Sequence, residues 1–222
     1  MSDERFTKYV RDGEKAEPLG DGYYIIQSEN GYRFGSDAVS LAHFAERDLT
    51  WRDKVLDLCS GCGIIGIMLA ISTGAHIDCV EIDKSLCDMS GRSAGLNELK
   101  NITFTCCDAR DMGTWTNNQY DCVVCNPPYY KVGSKPTIIA PQANSEISIT
   151  LADVISISTR ALKVGGALYM THVTSRLDEI ICACRDNGLT VKKLVVNPNG
   201  KTFMVRAVRG GKPYMELEIK EY

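Results

Sequence analysis

Val55-Leu56-Asp57-Leu58-Cys59-Ser60-Gly61-Cys62-Gly63 reads as a strand that runs into a turn of small residues and then into an apolar helix. A ligand over the carboxyl end of such a strand must approach the backbone, and glycine permits both that approach and the dihedrals of the turn. Beyond it, short apolar runs alternate with helical patterns. Strands are expected at 54–58, 76–82, 102–106, 120–125 and 167–172, and helices at 64–71, 84–99, 151–162 and 175–187. The strands are apolar and largely non-alternating, as they must be when helices cover both faces. Repeated βα units predict an α/β fold with a doubly wound, mostly parallel, Rossmann-like sheet. The end differs: 190–197 and 202–209 are strands separated by Pro198-Asn199-Gly200-Lys201, which predicts a closing antiparallel hairpin.

Upstream, 22–27 and 31–34 flank Ser28-Glu29-Asn30 and read as a small hairpin, and Ser36 or Asp37 is expected to cap a helix from about Ala38. The 222 residues fit a single domain, with 1–50 as an N-terminal hairpin-and-helix extension and 51–222 as the catalytic core. Residues 131–148 form the longest stretch without an element, and a loop of that length is expected to be a lid or a disordered segment.

Hydrophobic residues at 44% and charged residues at 24% are ordinary globular values, and a net charge of -3 gives no global attraction to nucleic acid. A local basic patch is one expectation: Lys192, Lys193, Lys201, Arg206, Arg209 and Lys212 outnumber Asp186, Glu216 and Glu218. A solvated pair of strands is the other. The N-terminus is polar, no run of 18 apolar residues occurs, and most of the 10 cysteines sit in apolar strand-like runs, so no membrane span and a reducing, cytoplasmic location are expected.

Glu81, closing the second core strand, is placed to bind both hydroxyls of a ribose. Asp57 on the strand side can meet the amino and carboxylate end of a cofactor through backbone and water. The turn is read as distinct from the G-x-G-x-x-G dinucleotide fingerprint, so S-adenosyl-L-methionine, leaving S-adenosyl-L-homocysteine, is the expected cofactor. Asp108 ends the third strand and either accepts a hydrogen bond from an adenine amino group or caps a turn. Cys59, Gly63, Ile82, Ala109 and Asn126 complete the candidate cofactor set with Gly61. Two C-x-x-C pairs, Cys59–Cys62 and Cys122–Cys125, have zinc-site spacing. One pair occupies the cofactor turn and the other a strand, so no metal is expected.

The sharpest signal is Asn126-Pro127-Pro128-Tyr129, directly after the strand 120–125. An exocyclic amino group on adenine is a poor nucleophile because its lone pair is delocalised into the ring. Hydrogen bonds from its two N–H groups to the Asn126 side-chain oxygen and the Pro127 carbonyl would localise that pair and aim it at an electrophilic methyl group. The prolines stiffen the turn. Tyr129 offers a face on which a base can stack once removed from its helix or loop.

With these residues in place, the chain resembles the bacterial tRNA1(Val) adenine N6-methyltransferases. The likeness lies in Gly31-Tyr32-Arg33-Phe34-Gly35-Ser36-Asp37-Ala38-Val39, the turn at 57–63, Asn126-Pro127-Pro128-Tyr129-Tyr130 and 205–212. It implies a class I methyltransferase fold, a tRNA substrate methylated beside the anticodon, cofactor contacts from Asp57, Gly61, Glu81 and Asp108, and a target cradle at 126–129. Arg33 and Asp37 would line the entry to the cofactor site, or serve as hairpin and helix-cap residues. Cys59 replaces a common glycine, tolerable if its dihedrals are ordinary, and Tyr130 replaces a common phenylalanine. Release-factor glutamine N5-methyltransferases use the same tetrapeptide but carry a helical domain before the core. DNA adenine methyltransferases usually need an added recognition domain. A ribosomal RNA guanine N2 enzyme stays open, and a non-enzymatic RNA-binding scaffold would have eroded Asp57, Glu81 or the tetrapeptide. Oligomeric state is left open.

Overall fold

The expected apolar runs hydrogen-bond into one eight-stranded sheet in the computed structural model, which describes residues 4–31, 33–113, 117–129 and 149–219. Its strands are β3 (Lys54–Leu58), β4 (His76–Glu81), β5 (Ile102–Cys106), β6 (Tyr120–Cys125), β7 (Leu162–Val173), β8 (Leu189–Val196), β9 (Thr202–Arg209) and β10 (Glu216–Ile219), in the order β10-β8-β9-β7-β6-β3-β4-β5. The pairs from β5 through β7 are parallel, while β9 lies antiparallel between β7 and β8. The strand order reverses between β3 and β6, and ligands of open α/β sheets bind in the crevice such a reversal leaves at the carboxyl ends.

Successive strand residues point to opposite faces. Val55, Cys122 and Val124 therefore pack with α2 (Ser36–Ala45) and α3 (Ile64–Thr73), while Leu56, Leu58, Val123 and Cys125 pack with α5 (Leu151–Ala161) and α6 (Leu177–Asp186). Burial of both sets explains why the strands lack alternation. Sharp helix starts come from local chemistry: Asp83 accepts from the N–H groups of Ser85 and Leu86 at the head of α4 (Lys84–Leu96), and Thr150 with Asp153 forms a capping box on α5.

Two expectations are corrected. The N-terminal hairpin pairs β1 (Glu14–Gly20) with β2 (Tyr23–Ser28), not 22–27 with 31–34. Asp21 (φ 49°) and Gly22 (φ 80°) are both left-handed, as a two-residue primed hairpin turn needs, and Asp-Gly was its signal. β2 and the short α1 (Glu4–Tyr9) dock on α4, where the Ile26 N–H donates to Ser93 Oγ at 2.9 Å and the Tyr24 N–H to Asn97 Oδ1 at 2.9 Å. Helix α2 starts at Ser36 with Gly35 as an N-cap that makes no side-chain bond, so neither Ser36 nor Asp37 caps it.

The C-terminal basic residues, read either as a patch or as a solvated pair of strands, mostly lie together: Lys193 faces Arg206 across β8 and β9, and Lys192 Nζ donates to the Lys212 carbonyl at 3.0 Å. Lys193 pairs with Glu218 at 2.9 Å across β8 and β10, a strand the sequence did not announce. Arg206 pairs with Asp48 at 3.0 Å, and Arg209 donates to Asn118 and the Leu162 carbonyl. In the β7–β9 register Thr202 faces Val173 and Val208 faces Ala167, so Lys201 sits at the carboxyl end of β7 and Arg209 at the other. Tyr32, Tyr130 and the 131–148 loop lie outside the described residues. Among the described residues, no helix is long and apolar enough to cross a membrane.

Candidate active site

The β3 turn alternates hands. Cys59 (φ 60°), Gly61 (φ 56°) and Gly63 (φ 79°) are left-handed, so Cys59 does not have the ordinary dihedrals that would have excused the missing glycine. A side chain in that region costs about 1–2 kcal/mol. The strain sits where the chain must turn sharply under a ligand. Glycine spacing does not discriminate between cofactors, contrary to the expectation: Gly61, Gly63 and Gly66 stand at the G-x-G-x-x-G interval. Gly66 serves packing, because a Cβ there would lie 2.6 Å from Cys79 Sγ and 3.0 Å from Asp57 Oδ2.

Glu81 is tied to the turn. Its Oε2 accepts the Gly61 N–H at 2.8 Å, and its Oε1 accepts the N–H groups of Ile82 and Asp83, both at 2.9 Å. Asp57 is fully buried beneath the turn; Oδ2 accepts the Gly66 N–H at 2.9 Å, while Oδ1 has no hydrogen-bond partner. Burial, with the Glu81 charge adding to it, pushes the Asp57 carboxyl up to about 7. Ser60 Oγ is likewise buried without a partner. A carboxylate oxygen lacking a donor suits a ligand that brings an ammonium group, as the methionine end of S-adenosyl-L-methionine does. The donor set therefore fits that cofactor.

Along the same edge, Ile82 is 48% exposed and Ala109 buried. The Asp108 carboxylate caps the 3-10 turn Ala109–Met112 by accepting the Arg110 N–H at 2.9 Å and is clasped by the Arg110 guanidinium at 2.5 and 2.9 Å. That guanidinium holds the carboxyl below its usual range. Capping is thus the role Asp108 plays in this structure.

On the neighbouring strand, Leu58 and Cys125 are register partners, so the β3 turn and Asn126-Pro127-Pro128-Tyr129 leave the sheet side by side. Pro127 is buried, and Asn126, Pro128 and Tyr129 are half-buried. The Tyr129 hydroxyl donates to Asn126 Oδ1 at 2.6 Å. Arg33 lies between β2 and α2 and pairs with Glu17 on β1. Asp37 Oδ1 accepts from Thr202 Oγ1 at 3.1 Å and Asn197 Nδ2 at 3.3 Å, tying α2 to the β8–β9 turn.

Two residues escaped sequence reasoning. His172 is buried with its ring centroid 5.2 Å from that of Tyr129, and Arg176 Nη1 donates to the Tyr129 carbonyl at 3.2 Å. Only knowledge that β7 neighbours β6 could have found them, since no motif carries them.

All 10 cysteines are free, and among the described residues no three or more His, Cys, Asp or Glu side chains converge as metal ligands. Cys122 and Cys125 pack on opposite faces of the sheet, as a spacing of three in a strand requires.

A tRNA1(Val) (adenine(37)-N6)-methyltransferase of Cytophaga hutchinsonii is 26% identical over 175 residues, covering 76% of this chain and 73% of the relative. The protein of the same name from Shewanella baltica is 29% identical over 205 residues, covering 89% and 85%. Among solved structures, M. jannaschii TYW2 in complex with AdoMet superposes with a TM-score of 0.63 at 14% identity, covering 90% of this chain and 87% of that one, a likeness in fold. Residues 28–178, which hold the β3 turn and the tetrapeptide, match the methyltransferase small domain, and the chain belongs to that family.

Proposed function

We propose that the chain methylates N6 of an adenosine in tRNA, beside the anticodon of a valine tRNA, using S-adenosyl-L-methionine and leaving S-adenosyl-L-homocysteine. The observation that carries the reading is the adjacency of the β3 turn and the tetrapeptide at the strand-order reversal. The names of the relatives support the choice of acceptor. Residues 51–222 form the catalytic core in this reading, and 1–50 an extension. Free thiols throughout suit a cytoplasmic setting.

When bound, the cofactor supplies an electrophilic methyl group. Asp57, Cys59, Gly61, Gly63, Glu81, Ile82, Asp108, Ala109 and Asn126 would hold it, with Glu81 on the ribose and Asp57 meeting the amino and carboxylate end through backbone and water. Arg33 and Asp37 line the approach. Asn126 Oδ1 and the Pro127 carbonyl accept the two N–H groups of the target amine, and Tyr129 stacks on its ring. The methylated nitrogen is acidic enough to lose its proton to water, so no strong side-chain base is needed.

The test offers radiolabelled cofactor with total tRNA, ribosomal RNA and release factor in parallel. Label in tRNA, digested to N6-methyladenosine, is the expected result. Label in release factor alone would reverse the assignment.

A further inference from the structure

Arg176 lies at the end of the 3-10 turn Thr174–Arg176, between β7 and α6, and is only 9% exposed. Arginine is rarely this deep unless paired. Its Nε and Nη2 donate to Glu179 at 3.0 and 2.7 Å, and its Nη1 reaches the main-chain carbonyl of Tyr129. Pairing prevents an uncompensated charge, but a buried ion pair is weak as a source of stability compared with apolar packing. What the burial accomplishes is a charge-assisted hydrogen bond to the tetrapeptide.

That bond falls at a telling place. Pro127 and Pro128 fix their own φ angles and so stiffen the first half of the turn. No ring constrains Tyr129, and Arg176 grips the backbone one residue past the second proline. On the adjacent strand, His172 Nδ1 accepts the Val173 N–H at 2.9 Å, which puts the proton of the neutral ring on Nε2. Its ring lies against Tyr129 at an interplanar angle of 52°. Burial, and next to it the Arg176 charge, push His172 down to about 4, so a neutral ring packs there at physiological pH. Tyr129 is thus engaged at its hydroxyl by Asn126, at its ring by His172 and at its carbonyl by Arg176.

We propose that Arg176 is a positioning residue for methyl transfer: through the Tyr129 carbonyl it fixes the tetrapeptide backbone so that Asn126 Oδ1 and the Pro127 carbonyl converge on the acceptor nitrogen. This rests on the function proposed above. A small displacement of positioned acceptors is expensive in rate while leaving binding largely intact.

The test uses the full chain with Arg176→Gln, which loses the charge, and Arg176→Lys, which keeps a cationic donor. One readout is steady-state methylation of tRNA with radiolabelled cofactor. The other needs no substrate: fluorine NMR of protein carrying fluorotyrosine, with the Tyr129 line assigned by its loss in Tyr129→Phe. Arg176→Gln should lower kcat about 30-fold or more, with KM for tRNA and cofactor affinity within about 3-fold, and should broaden or split the Tyr129 line. Arg176→Lys should regain about 10-fold of the lost kcat. An unchanged kcat, or an unchanged Tyr129 line, overturns the proposal. So does a joint fall of kcat, cofactor affinity and Tm that lysine does not rescue, which marks a merely structural arginine. If the wild-type chain labels no tRNA, it is the acceptor assignment that has failed. The Tyr129 line then decides alone, a broadened line sustaining the anchor and an unchanged one sinking it.

Discussion

The recess at the amino end of the sheet and the turn at its carboxyl end treat polar groups in different ways. At the amino end, a recess of about 360 Å³ is lined by Asp48, Asp121, Lys163, Tyr169 and Arg206. Its charges are mutually satisfied. The Tyr169 hydroxyl donates to Asp48, Arg206 Nε donates to the Tyr169 oxygen at 2.9 Å, and Lys163 meets Asp121 at 2.7 Å. Nearby, Asp78 accepts from Lys54 at 3.0 Å and from the Tyr120 hydroxyl at 2.9 Å. At the carboxyl end, Asp57 Oδ1, Ser60 Oγ and His172 Nε2 are buried without partners, and Cys59 is held left-handed. Buried unsatisfied groups and strained backbone each oppose folding. Asn117 Oδ1 and Ser158 Oγ, outside the recess, are also buried without partners, so it is the grouping of an unpartnered acid and hydroxyl around the strained β3 turn that marks the place for a ligand.

Substitutions that lower activity without touching stability should therefore cluster at the carboxyl end. The largest effect is expected for Asn126→Ala, which removes a positioned acceptor and should reduce turnover at least about 100-fold while cofactor binding stays within a few-fold. Near-normal turnover in a radiolabel assay would take Asn126 out of the chemistry. Next comes Glu81→Ala, which should weaken cofactor binding by about 1.5–3 kcal/mol in calorimetry. Part of that loss reflects the Gly61 N–H that Glu81 holds.

Asp57→Asn is expected to act in two directions. Burial pushes the folded carboxyl up to about 7 from an ordinary 3.8, so the native state binds the extra proton between those limits. Ionising Asp57 therefore costs stability progressively as pH rises from about 4 to about 7. The asparagine variant escapes that cost. Its Tm advantage over wild type should be absent at pH 4 and largest above pH 7, where it is worth roughly 1–3 kcal/mol, while cofactor affinity falls about 10-fold. A Tm difference that does not change with pH would show that this carboxyl is not buried as described.

The smallest effect belongs to the amino end. Lys163→Met breaks a half-exposed ion pair with Asp121. It should cost under about 1 kcal/mol in chemical denaturation and leave methyl transfer untouched. A marked loss of activity would abolish the contrast between the two ends.

Where one local cause decided the outcome, the sequence was legible. The strands 54–58, 102–106, 120–125 and 202–209 follow from apolar runs bounded by turn residues, while the adjacency of β3 and β6 was implied by the resembled fold and not by the βα repeat itself. Strand β10 was illegible because Leu217 and Ile219 stay exposed and Glu216 and Glu218 answer Lys193, so pairing rather than burial defines it. The partners of the basic residues were hidden for a similar reason: strand pairing decides which acid or carbonyl each charge meets. Glu81, Asp57 and the tetrapeptide stood out by residue type and spacing. His172 and Arg176 did not, since their meaning comes from a neighbour 43 and 47 positions away.

Because the Gly61 amide already holds the Glu81 carboxylate, the concavity formed by the alternating left-handed residues comes with its own anion installed. In dinucleotide sites of the same glycine spacing, that vacancy is what a pyrophosphate fills. A phosphate approaching the Gly61 amide would meet the Glu81 carboxylate already bound there. The turn thus presents the ribose with an acceptor already held in place, and the Gly61 amide that holds it is spoken for before any ligand arrives.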